Sequence, residues 1–213
     1  RGEIDVADAS RPILKEEMNT AKQNNIEYIE LPICFDALTI AVNPQNTWVT
    51  SITVEDLKKI WEPAAQEKIL YWNQVRPEWP KEKLSLFGAG TDSGTFDYFT
   101  EAVVGKAKSC RGDFTASEDD NVLVKGIQGN KHALGFLPFA YYIANTDKLK
   151  ALAVDWDKDT IGPVLPSMEN VLKGVYNPLS RPLFNYVNRK ASERPEVKEF
   201  VEFYLNNAAT LAT

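Results

Sequence analysis

Histidine is nearly absent from this chain: its 213 residues hold one, His132, beside only two cysteines, Cys34 and Cys110. That poverty argues against a nitrogen- or sulfur-ligated metal centre, because neither cysteine has metal-ligand spacing. No metal and no cofactor is expected. Cys34 lies in the apolar run LPICFDALTIAV and reads as a buried free thiol, whereas Cys110 follows a lysine-rich stretch and reads as surface-exposed. His132 falls just after Gly129-Asn130-Lys131 and reads as a solvated loop side chain. Apolar runs are short, none approaching the roughly 20 residues that cross a bilayer. A basic, apolar-cored leader is also missing, so a mature, trimmed or fragmentary chain is expected. Nor is there a basic excess: 30 acidic against 24 basic residues leave a formal charge of −6. A nucleic-acid partner, which demands a basic footprint, is therefore not expected. A small anion remains admissible, since local dipoles rather than global charge bind it.

What is present reads as an ordinary globular composition, 44% hydrophobic and 25% charged, in a length that suits one large domain or two small lobes. Strand-like and helical patterns alternate. Ile4 to Ala7, Tyr28 to Leu31 and Phe35 to Val42 read as strands, as do Leu84 to Phe87, Ala133 to Phe136, Leu149 to Val154 and Arg181 to Val187. Helices are predicted over Leu14 to Gln23, after Thr53, over Val122 to Ile127, Ser167 to Lys173 and Glu196 to Leu205. The alternation predicts an α/β architecture. Trp48, Trp61, Trp72 and Trp79 lie close together in sequence and suggest a shared core with some surface aromatics. Glu118-Asp119-Asp120 reads as an acidic helix start rather than a calcium loop, because no D-x-D-x-D-G spacing accompanies it.

The segment GAGTDSGTFDYFTEAVVGKA, Gly88 to Ala107, carries the most chemistry. It leads from a strand through a loop with three hydroxyls, Thr91, Ser93 and Thr95, into a helix with Phe96, Phe99, Ala102 and Val103 on one face. The first turn of a helix has free N–H groups and a dipole that favours negative charge, so such a loop can cradle an anion. Gly94 would let a ligand oxygen approach the backbone. The same residues also read as a plain helix cap by Ser93 or Thr95. Asp92 is open to two readings: an acceptor for a protonated ligand oxygen, or a first-turn acid complementing the dipole.

A second constellation is Asp8-Ala9-Ser10-Arg11-Pro12-Ile13. Pro12 suits a first helical turn, which would place Ser10 near a helix N-terminus. Arg11 would add a guanidinium fork matched to two oxygens of a tetrahedral oxyanion. A solvated arginine beside an N-cap serine is the plainer reading.

The runs EIDVADASRPI, LPICFDALTIAVNPQNTW, GAGTDSGTFDYFTEAVVGK, SEDDNVLVKGI and YNPLSRPLFNYVN, in this order, resemble the phosphate-binding proteins of bacterial ABC transporters, the cyanobacterial branch in particular. The resemblance covers essentially the whole chain. It implies a type II periplasmic-binding-protein fold of two lobes joined by hinge strands, with inorganic phosphate or a similar oxyanion held in an interlobe cleft. It also implies a non-enzymatic, monomeric receptor outside the cytoplasm that serves a membrane ABC permease. Ser93, Gly94 and Thr95 match the family's anion-binding Ser-Gly-Thr, and Ser10 matches a ligand-contacting polar residue. A protonated phosphate could in addition donate to Asp92 or Asp8, whereas sulfate has no proton to give, and Asp92 keeps both of its readings.

Two departures accompany the likeness. Ala89 stands where many relatives have an arginine, so Arg11 is inferred to supply the guanidinium. Relatives also begin with a strand and a Gly-Ser-Ser-Thr-type loop that precede the start of this chain, so lobe I and the anion site are expected to be incomplete here. The division expected is 1–40 for part of lobe I, 41–182 for lobe II, and 183–213 for a hinge strand and C-terminal helix returning to lobe I. Receptors for sulfate, molybdate or a phosphonate remain alternatives. A phosphatase-like hydrolase is a weaker one, because Ser93 lacks a G-x-S-x-G elbow and a visible base.

Overall fold

A computed structural model describes residues 2–211. In chain order the elements are β1 (Val6–Ala9), α1 (Lys15–Gln23), β2 (Tyr28–Val42), β3 (Ser51–Thr53), α2 (Val54–Trp61), α3 (Trp72–Val75), β4 (Ser85–Ala89) and α4 (Gly94–Phe99). There follow β5 (Thr115–Ser117), α5 (Asp120–Gly129), β6 (Ala133–Pro138), α6 (Phe139–Ile143), β7 (Lys150–Ala151), β8 (Ala153–Asp155), α7 (Met168–Leu172), β9 (Ser180–Asn188) and α8 (Pro195–Leu211). The chain divides into two compact units, Arg1–Asp36 with Arg181–Thr213, and Ala37–Ser180.

In the first unit β9 lies between β1 and β2. β1 and β9 are antiparallel, with Val6 opposite Val187 and Asp8 opposite Asn185. The core here is small: Val187, Ala191 and Val197 are buried, with Val6, Ile29, Leu31 and Val201 packed against them. Large apolar side chains stay exposed around it, among them Ile4, Leu14, Met18, Phe200 and Phe203. Asp36 and Arg181 form an ion pair at 3.1 Å, holding β2 and β9 side by side.

The second unit carries the main cores. Its central strands run β2, β6, β4, β5, with the C-terminal half of β2 antiparallel to β6 and the remaining neighbours parallel. Strands covered on both faces read as continuous apolar runs, and β6 (Ala-Leu-Gly-Phe-Leu-Pro) is buried through its first five residues. Trp61, Phe99 and Phe136 stack and edge together in one cluster, with Trp61 and Phe136 ring centroids 5.0 Å apart. Trp72 and Trp79 pack edge to face at 5.4 Å, while Trp48 stays half-buried, as the spacing of the tryptophans suggested. Thr53 caps α2 through a reciprocal pair: its hydroxyl accepts from Asp56 N–H at 3.0 Å and Asp56 accepts from Thr53 N–H at 3.1 Å.

Three sequence expectations need correction. Cys110 is half-buried rather than exposed, and burial pushes its thiol up to about 11. Cys34 is half-buried as well, instead of sitting in a core. His132 is held more closely than a solvated loop residue: its ring packs 5.6 Å from Trp48, with Nδ1 3.6 Å from Glu82.

Candidate functional site

The hydroxyl loop belongs to the second unit. β4 lies between β6 and β5, parallel to both, so the loops leaving the C-terminal ends of β4 and β5 are neighbours. Open α/β sheets place ligands beyond such carboxyl ends. Phe87 and Ala89 pair with Thr115 and Ser117, and the ladder extends one step further, with Gly90 N–H donating to Ser117 O at 3.1 Å. The chain then turns: Ser93 N–H donates to Gly90 O at 3.1 Å.

Ser93 is the N-cap of α4, in extended conformation, and its Oγ accepts from Thr95 N–H at 3.1 Å. Asp97 N–H donates back to Ser93 O at 3.2 Å. The N–H groups of Gly94 and Phe96 find no acceptor among the described residues. Because the Ser93 hydroxyl acts as acceptor, its own proton remains to be donated. A Cβ built on Gly94 would meet nothing within 4 Å, so the ground above the helix start is open. Helical winding continues past α4 into a π-helical segment, Thr100–Val104, which ends at Gly105 with φ +92°. The aligned dipoles behind the loop therefore exceed a single turn. Asp92 is exposed, and its N–H donates to Glu118 Oε1 at 3.3 Å.

Ser10 and Arg11 belong to the first unit. Helix α1 begins only at Lys15, with Leu14 as N-cap, so Ser10 lies on the loop leaving β1 and not at a helix start as Pro12 suggested. Pro12 cannot sit in the first turn because the turn is nucleated further on, by Glu17. That carboxylate accepts from Leu14 N–H at 2.9 Å and takes the Arg11 fork through two bonds of 2.9 Å each. The Arg11 bonds hold Glu17 well below the ordinary carboxylate range, at about 2. The Arg11 guanidinium is thus engaged by a carboxylate of its own unit. Tyr186 steadies the same loop: its hydroxyl accepts from Ile13 N–H at 2.7 Å and donates to Glu30 at 2.9 Å. An open cavity of about 810 Å³ adjoins it, with Ser10, Arg11, Glu17, Tyr28, Tyr186 and Asn188 in its walls.

The expected site residues thus fall into two groups on two units, Ser10 with Arg11, and Asp92 with Ser93, Gly94 and Thr95. Glu118 and Tyr186 were not anticipated. Glu118 was hidden in an acidic run that does begin a helix: Asp119 caps α5, its Oδ1 accepting from Asn121 N–H at 2.9 Å. Among the described residues no group of His, Cys, Asp or Glu is placed to hold a metal ion.

A mixed sheet with helix starts at the carboxyl ends of its parallel strands is the architecture of the type II periplasmic-binding-protein fold. A model of the PBP superfamily domain matches residues 1–208, and the chain belongs to that superfamily. Over its whole length it is 54% identical to Protein SphX of Synechocystis sp., of which it spans 62%. With the phosphate-binding protein PstS of Staphylococcus aureus it shares 34% identity over 99% of this chain and 62% of that one. A crystal structure of a possible phosphate binding protein from Planctomyces limnophilus superposes with a TM-score of 0.88 at 46% identity, covering 95% of this chain and 70% of that chain. The chain therefore spans about three fifths of the length of the curated relatives it matches.

Proposed function

We propose that this chain is the anion-binding portion of a phosphate receptor, a non-catalytic protein that works outside the cytoplasm and hands inorganic phosphate to a membrane ABC permease. The observation that carries the reading is the helix start at Ser93-Gly94-Thr95. It has unoccupied N–H groups and a donatable hydroxyl, opens above Gly94, and lies at the carboxyl end of a parallel strand. A tetrahedral oxyanion fits such a cradle, because several directed, charge-assisted bonds replace its hydration. The kinship with phosphate-binding proteins supports phosphate among the oxyanions.

The two units correspond in this reading to parts of two lobes, 1–40 with 183–213 and 41–182. Ser10 and Arg11 are the proposed contribution of the first, with Arg11 exchanging Glu17 for the ligand. Asp92 is the proposed acceptor for a phosphate proton, which sulfate lacks. The Ser93 Oγ accepts from the Thr95 amide, whereas a nucleophilic serine would need a general base as its partner. Among the described residues no helix is long and apolar enough to cross a membrane.

Calorimetric titration with phosphate and sulfate tests the reading. Phosphate binding that resists excess sulfate and is lost in Ser93→Ala supports it. Preference for sulfate, molybdate or a phosphonate would assign the same cradle to another oxyanion.

A further inference from the structure

The Glu118 carboxylate lies against the loop that the proposed function assigns to the ligand. Its Oε1 accepts from Asp92 N–H at 3.3 Å, and a Cβ built on Gly90 would stand 1.9 Å from the same oxygen. The carboxylate therefore occupies a seat that exists only because residue 90 has no side chain. Nothing of opposite charge offsets it: among the described residues Glu118 has no ion pair, and its sequence neighbours are Asp119 and Asp120. A bond of 3.3 Å from an exposed residue is weak as a structural tie. A full negative charge beside a helix start, by contrast, is what an anion would bring there.

We propose that Glu118 is a built-in competitor for the oxyanion: with no ligand bound its carboxylate takes the Asp92 amide and lends negative charge to the loop, and ligand binding displaces it. This rests on the reading of Ser93–Thr95 as an oxyanion cradle. Two consequences separate competition from mere loop bracing. Glu118→Gln keeps an oxygen that can accept from Asp92 while removing the charge, so a brace would survive it and a competitor would not. Gly90→Ala expels the carboxylate by contact, so it should act through the same interaction as Glu118→Gln and add little to it.

The test is a titration of the 213-residue chain with inorganic phosphate, following the backbone amide resonances of Asp92 to Thr95, which remain readable when binding is weak. Removing one like charge beside the loop should tighten phosphate binding by about fivefold in Glu118→Gln. Gly90→Ala should give a similar gain and the double variant no more than either. Strong salt should shrink the difference, because the effect is Coulombic. Equal or weaker binding by Glu118→Gln, with the cradle amides still responding to phosphate, overturns the competitor and leaves the cradle standing. Amides that respond to phosphate in no variant overturn the cradle itself, and the competitor with it. Glu118→Gln alters an exposed side chain and should fold normally, so the result does not depend on the glycine variant.

Discussion

Tyr186 and Ile13, 173 positions apart, are joined by a 2.7 Å bond in which the phenol oxygen accepts the backbone N–H. The same phenol donates to Glu30 at 2.9 Å, and desolvation with the Glu30 bond pushes it up to about 12. One side chain on β9 thus holds β2 and the loop that carries Ser10 and Arg11. Tyr186→Phe should lower stability by about 1 kcal/mol, the usual net worth of such a bond. It should also speed hydrogen exchange at Ile13 more than at residues of the second unit. Unchanged exchange at Ile13 would show that the loop is held by other contacts.

Ser93 has a structural duty that must be separated from ligand binding. As the N-cap of α4 it satisfies Thr95 N–H, and Ser93→Ala should cost about 1 kcal/mol of stability. Ser93→Gly should cost only a few tenths while removing the hydroxyl all the same. If the hydroxyl binds the anion, both variants lose phosphate affinity although only alanine lowers the melting temperature appreciably. Retained affinity in Ser93→Gly would reduce Ser93 to a cap.

Arg111 is a buried cation with every visible tie inside the fold. It is 3% exposed, donates to Ile60 O at 3.0 Å and Ile69 O at 2.9 Å, and grips Asp113 through bonds of 2.6 and 2.8 Å. Arg111→Met strands two carbonyls and a carboxylate, and should cost roughly 3–5 kcal/mol by denaturant unfolding. The Arg111 bonds also hold Asp113 down at about 2. Because the folded value lies below the unfolded one near 4, this contribution is present above that pH and disappears as pH falls toward 2. The acid limb of the stability curve should therefore be shallower in Arg111→Met between those values. An identical limb in both proteins would show that Asp113 does not report on this pair.

The two thiols give a separate check on burial. Desolvation is the leading cause in both, raising Cys110 to about 11 and Cys34 by a smaller amount. Only about a thousandth of Cys110 would be thiolate at pH 8, so alkylation should proceed in two phases with Cys34 the faster. Equal rates, or a faster Cys110, would place that side chain nearer solvent than its packing against the core allows.

The legible part of this fold was its alternation. β4, α5, β6 and α7 follow from apolar runs and capping residues; Thr53 and Ser93 cap helices as expected, and Ser167, read as the first helical residue, is a cap as well. β5 was not legible: Thr-Ala-Ser has no apolar signature, and the strand exists because Ala89 and its neighbours offer it a partner. Tyr28 to Leu31 and Phe35 to Val42, separate on paper, are one strand, β2, since Pro32 does not break the extended chain. The helix start at Ser93-Gly94-Thr95, the candidate cradle, could be seen in sequence because its residues are consecutive. Glu118 and Tyr186 could not, because each acts through a tertiary contact whose partner lies far along the chain. Pro12 misled for a related reason: the start of α1 is set by Glu17, reaching back to Leu14 and across to Arg11.

That last arrangement makes Arg11 testable in both of its roles. Glu17 is held at about 2, first by the Arg11 bonds and then by Leu14 N–H. A carboxylate depressed on folding stabilises the start of α1 above its ordinary range near 4.5 and releases it only as pH falls through about 2. The pair is close to half exposed, so the effect on global stability should be small and the local one readable. In Arg11→Ala the largest cause of the depression is gone while the Leu14 bond remains, so the resonance of Glu17 should titrate higher, nearer the ordinary glutamate value. The amide of Leu14 should lose its protection over the same range. If Arg11 also exchanges Glu17 for phosphate, the same variant should weaken phosphate binding, and Glu17→Gln, which removes the charge that the guanidinium is paired with, should strengthen it. A shifted Glu17 titration with phosphate affinity unchanged in both variants would leave Arg11 as the partner of Glu17 alone, and the cradle at Ser93 would have to work without it.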